Sequence, residues 1–153
     1  MGAALFYHVT QSSIVDVVVN LLTRAVQQGW QVELRGTSLP AMEQMDDQLW
    51  RAGGPAEFLP HGLAGGAHDA LQPVLLTTTS GATSGRQAIL SVDGADVRPE
   101  ELDHHDRVWI LFDGMDGAAV THARGQWKGL TGAGAKAQYW SEESGRWEKK
   151  SES

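Results

Sequence analysis

Cysteine is missing from the 153-residue chain, which excludes both a disulfide framework and a thiolate metal site. No apolar run reaches the roughly 18 residues of a membrane span, and the opening MGAALFYHVT lacks the basic region of a secretory signal. A cytoplasmic protein without membrane contact is expected. Lys and Arg are in short supply, 12 against 19 Asp and Glu, giving a net charge of -7. Gripping nucleic acid directly needs an excess of cations facing phosphate, so direct DNA binding is not expected.

Catalytic patterns are missing too. Ser80-Gly81-Ala82-Thr83-Ser84-Gly85-Arg86 has the composition of a phosphate loop, but its glycines are four apart and no Lys-Ser or Lys-Thr follows. Leu63-Ala64-Gly65-Gly66-Ala67 lacks the spaced glycines of a dinucleotide fingerprint. The six histidines form no pair at metal-ligating helical spacing. His104-His105-Asp106 reads as a polar turn, and no Gly-x-Ser-x-Gly elbow occurs. No catalytic residue, metal ligand or cofactor is assigned, and a non-catalytic protein is expected.

What is present reads as one α/β domain. At 41% hydrophobic, the chain can bury a full core. Residues 3–9 form a short apolar run without helical period, a buried strand. Over 14–28, Ile14, Val17, Val18, Leu21, Leu22 and Val26 fall on one helical face, with Ser12 or Ser13 as cap and Gly29 as stop. A strand at 30–34 follows, then a helix over 41–50 opened by Pro40 and capped by Ser38 or the turn before it. Residues 53–73 hold five glycines and three prolines and read as a long loop. Further strands are expected at 74–79, 88–92 and 107–112, with one helical turn at 98–102. Alternating strands and helices define a mostly parallel sheet with helices on both faces. The domain is expected to span 1–150, with 151–153 a polar tail.

The C-terminal stretch differs in charge. Residues 117–153 hold six Lys or Arg and four Asp or Glu, net +2, which leaves 6 - 15 = -9 for residues 1–116. A basic end on an acidic body points to capture of something acidic. A helix there places Arg124, Trp127 and Lys128 on successive turns, although Gly125, Gly129 and Gly132 interrupt it at about 1 kcal/mol each relative to Ala. A hairpin follows, with strand residues 138–141, a turn at 143–145 and a returning strand from Arg146. Cations beside aromatic faces suit a ligand carrying carboxylates and a hydrophobic group. The same residues also fit plainer roles: Trp127 as half-buried packing, Arg124 and Lys128 as a solvated helix face, and Trp147 as a hairpin aromatic.

FYHVT at 6–10, MDDQLWR at 45–51, FLPHGLAGG at 58–66, QPVLLTT at 72–78, RVWILFDG at 107–114, ARGQWK at 123–128 and YWSEESGRWEKK at 139–150 occur in this order. Together they resemble the chi subunit of bacterial DNA polymerase III, an accessory protein of the clamp-loader assembly. The resemblance implies a non-catalytic, Rossmann-like fold without a phosphate loop. It also implies two partners. One is the acidic, Phe-terminated tail of single-stranded DNA-binding protein, held by Arg124, Trp127, Lys128 and Trp147. The other is the psi subunit, met by Trp50, Phe58, Pro60 and His61, residues that could equally close the core under the long loop. The alternative from another class is a small nucleotide-binding or hydrolytic enzyme on the same scaffold.

Overall fold

In the computed structural model, residues 2–52, 61–63, 73–78 and 86–153 are described. The first apolar run is β1 (Ala3–Val9), followed by α1 (Ile14–Gln27) and β2 (Val32–Arg35). Ser13 caps α1, its hydroxyl accepting from the Asp16 amide. Gly29 then turns the chain at φ 81°, a left-handed conformation that glycine adopts without steric cost. The second helix, α2 (Leu39–Ala52), starts two residues before the expected Ala41, and the Ser38 hydroxyl accepts from the Ala41 amide. Pro40 therefore sits in the first turn, where its missing N–H costs nothing.

The remaining elements are β3 (His61–Leu63), β4 (Val74–Thr77), β5 (Ala88–Ser91), a 3-10 turn (Pro99–Asp103), β6 (Arg107–Asp113), α3 (Gly117–Gly132), β7 (Ala137–Ser141) and β8 (Glu148–Glu152). They form an eight-stranded sheet in the order β3-β4-β2-β5-β6-β1-β7-β8. Every pairing is parallel except that of β7 with β8. The expected α/β architecture is thus present, C-terminal hairpin included. Two details differ from the expectation. Residues 61–63, inside the stretch read as loop, pair with β4 from His61↔Val74 to Leu63↔Leu76. A three-residue edge strand is too short to show a period of two. β8 starts at Glu148 rather than Arg146 and runs through Ser151 and Glu152, and the Ser153 amide donates to the Ala137 carbonyl. The polar final residues therefore continue the sheet edge. Of the two glycine-rich stretches at 63–67 and 80–86, only Leu63 and Arg86 are among the described residues.

Strand alternation divides the core in two. Leu34, Leu76, Leu90, Trp109 and Leu111 meet α1 and α2 on one face. On the other, Phe6, Ile89, Ile110 and Phe112 meet α3 and the 3-10 turn through Ala123, Leu130 and Leu102. The second face also buries charge. Arg35, 2% exposed, bonds Glu33 through Nε at 2.7 Å and Glu101 through Nη1 and Nη2 at 3.0 and 2.7 Å. Its Nη1 also donates to the Asp96 carbonyl at 3.0 Å, pinning the segment before the 3-10 turn to β2.

Candidate binding surface

Asp116 starts α3, accepting from the Ala118 and Ala119 amides at 3.0 and 3.4 Å. Despite Gly125, Gly129 and Gly132, the helix runs unbroken from Gly117 to Gly132. Its buried stripe of Ala123 and Leu130, with Trp127 packed beside it, supplies the tertiary contact that outweighs poor propensity. A Cβ at any of the three glycines would meet nothing within 4 Å, so they leave the outer surface of the helix bare beside its cations.

Arg124 and Lys128 are exposed on this helix, and Trp127 is half-buried between them. The Trp127 ring meets Phe6 edge-on at 5.3 Å and Tyr139 at 6.0 Å. Tyr139 in turn faces Phe112 at 5.9 Å and His8 at 6.0 Å, so the aromatic patch continues from α3 onto β7. Burial lifts the Tyr139 hydroxyl above its ordinary pKa, while the Arg124 charge draws it down and Glu143 pushes it up, which puts Arg124 within electrostatic reach of that ring. Among the described residues neither Arg124 nor Lys128 forms an ion pair. The hairpin cations all do: Arg146 and Lys150 with Glu148 at 3.5 and 3.3 Å, and Lys149 with Glu152 at 3.1 Å.

Trp147 does not share this patch. Its ring packs edge-on against Tyr7 at 5.1 Å, and it belongs to the core on the α1 face. Phe6 and Tyr7 are consecutive on β1 and project to opposite faces, which separates Trp127 from Trp147 by the thickness of the sheet. Of the four expected residues, Arg124, Trp127 and Lys128 thus share one surface with Tyr139, and Trp147 lies on the other face of the sheet. Trp147 instead borders a groove of about 360 Å³ with Tyr7, Leu21, Arg24 and Trp140. Tyr139 was legible as a strand residue, but its partnership with Trp127 depends on β7 pairing beside β1.

The other expected surface is partly described. Trp50 is 48% exposed near the end of α2, and His61 opens β3. Phe58 and Pro60 lie outside the described residues. A cavity of about 590 Å³ opens at the C-terminal end of β6, where open α/β sheets commonly receive ligands. Asp93, Asp113 and Asp116 line it, and the first free amides of α3 are already taken by Asp116, so its charge opposes a phosphate. Among the described residues, no group of three or more His, Asp or Glu side chains could hold a metal ion, and no helix is long and apolar enough to cross a membrane.

Fold and surface together define a mixed α/β domain that presents unpaired cations around an aromatic patch on its last helix. The particular family is given by the sequence: the model of the DNA polymerase III chi subunit, HolC, matches residues 1–138, and the chain belongs to that family. It is therefore a DNA replication accessory subunit associated with the DNA polymerase III complex. No curated protein matches the chain. The family match includes Arg124, Trp127 and Lys128 and ends inside β7, before Tyr139 and the rest of the hairpin.

Proposed function

We propose that this chi-family protein is a non-catalytic adaptor in the cytoplasm that binds the acidic C-terminal tail of single-stranded DNA-binding protein and links it to the clamp-loader assembly. The observation that carries this reading is the pair of exposed cations without carboxylate partners, Arg124 and Lys128, flanking the half-buried Trp127. The terminal carboxylate and aspartates of the tail meet the two cations, and the terminal Phe ring lies against Trp127 and Tyr139, where edge-on aromatic packing is already the local geometry. Gly125 and Gly129 let the peptide backbone approach the helix closely. No cofactor takes part.

The test is calorimetric titration of the protein with the Phe-terminated acidic peptide, its amidated form and a form lacking the last residue. Saturable binding of the first, and strong weakening in the other two, is expected. Equal binding of all three would remove the terminal carboxylate and Phe from the interaction. Tight nucleotide binding or turnover in the same preparation would favour the enzyme alternative instead.

The psi subunit is assigned to a separate surface at Trp50, Phe58, Pro60 and His61, of which Trp50 lies on α2 and His61 on β3, at the sheet edge away from the hairpin. Trp50→Ala is expected to weaken psi binding by about tenfold or more, as for a truncated interface tryptophan, while tail binding stays at the parent value. Loss of tail binding in the same variant would show that it perturbs the whole fold.

A further inference from the structure

The loop joining β1 to α1 stands at the position where α/β sheets receive a phosphate, the first turn after a strand, with successive backbone N–H groups converging at the entry to a helix. In this chain the convergence is complete and already filled. The amides of Thr10, Gln11 and Ser12 all donate to Glu142 Oε1, at 3.1, 2.8 and 2.6 Å, and the Ser12 hydroxyl donates to Oε2 at 2.9 Å. Glu142 comes from the turn after β7, 130 residues further along the chain from Ser12, and is 4% exposed. Among the described residues no Lys or Arg pairs with it, so neutral donors alone hold a buried carboxylate, the arrangement by which proteins hold oxyanions. Burial on its own would raise its pKa. The bonds from Ser12, Gln11 and Thr10 outweigh that and keep the carboxyl below the usual range.

We propose that Glu142 is a tethered ligand of an oxyanion cradle, taking the place of a phosphoryl group and fastening the C-terminal hairpin to the β1–α1 loop. Two consequences follow from one contact. While the carboxylate is seated, a phosphate-bearing ligand has no free donors at this loop. And the hairpin, whose inner strand is held to β1 by parallel pairing and whose outer strand β8 pairs, among the described residues, with β7, gains a further attachment here, beside the 3.6 Å approach of Glu143 to His8. The same attachment places Trp147 against Tyr7 and so forms one wall of the groove beside α1. This inference is independent of the tail-binding reading, which uses the other face of the sheet.

The test uses the full chain with Glu142→Ala and, in case alanine does not fold, Glu142→Ser, which keeps a polar group in the turn but is too short to reach the three amides. Inorganic phosphate and pyrophosphate are titrated while the amide resonances of Thr10, Gln11 and Ser12 are followed, and hydrogen exchange is measured over 148–152. In the parent, the three amides are expected to ignore both anions. In the variants they should shift saturably, and exchange in β8 should speed up by about tenfold or more, the loss expected for hydrogen bonds to a charged group. If the three amides of both variants fail to respond, or respond only together with residues around Lys149 and Lys150, the cradle is not an oxyanion site. If β8 exchanges in the variants as slowly as in the parent, Glu142 is no fastening.

Discussion

Replacing both Arg124 and Lys128 with alanine is expected to weaken binding of the single-stranded DNA-binding protein tail by about a hundredfold, with roughly tenfold, or about 1.4 kcal/mol, from each. Both cations are exposed and form no ion pair among the described residues, so no such pair has to be broken when the tail arrives. Binding by the parent should weaken as salt rises, because exposed charges are screened over about 8 Å at physiological ionic strength. The double variant should bind weakly with a flat salt response. Trp127→Ala should also bind weakly but keep most of the parent's salt slope, since its contribution is apolar. Trp147→Ala should leave the affinity unchanged, because that ring lies on the opposite face. Titrations at two salt concentrations separate these outcomes. A double variant that binds like the parent would put the tail elsewhere.

The largest effect on stability is expected at Arg35. Arg35→Met removes the cation that bridges the buried Glu101 and Glu33 carboxylates, and breaking a buried ion network in this way costs about 3–5 kcal/mol. The pH dependence should change sign with it. In the parent, burial raises the Glu101 pKa, but bonds from Arg35 and from the Arg98 amide more than reverse this, leaving it below 4.5. A carboxyl depressed on folding stabilises the native state above its unfolded pKa, and this contribution is lost as pH falls through the folded value. The parent should therefore lose stability on acidification below about pH 4.5. In the variant, the Glu101 carboxylate keeps only Arg98, through its amide and its exposed side chain at 3.6 Å, and loses both bonds from Arg35, so acidification that protonates it should restore stability. Urea unfolding at pH 7 and at about pH 4 distinguishes the two. A loss under about 1 kcal/mol at pH 7, the usual range for an exposed pair, would mean that the network is not desolvated as described.

Much of this molecule was determined by local sequence. The three-and-four spacing from Ile14 to Val26, the Ser13 cap and Gly29 specify α1 without reference to the rest of the chain, because capping and amphipathic period are properties of adjacent residues. The apolar runs of β1 and β6 and the alternation of strands with helices likewise specify a largely parallel sheet covered on both sides. The spacing of Arg124, Trp127 and Lys128 was enough to place all three along one stretch of α3. Other features were decided only by tertiary structure. The family resemblance implied that Trp147 stands beside Trp127, but strand alternation and the insertion of β7 beside β1 put the sheet between them. Glu33 and Glu101 carry no local mark of burial, yet both are buried on Arg35, since β2 is covered by the 3-10 turn. Glu142 sits in a polar Ser-Glu-Glu-Ser turn, and its four donors lie some 130 residues away. A hydrogen bond across that separation leaves no periodicity in either segment, and exists only once β1 and β7 lie side by side.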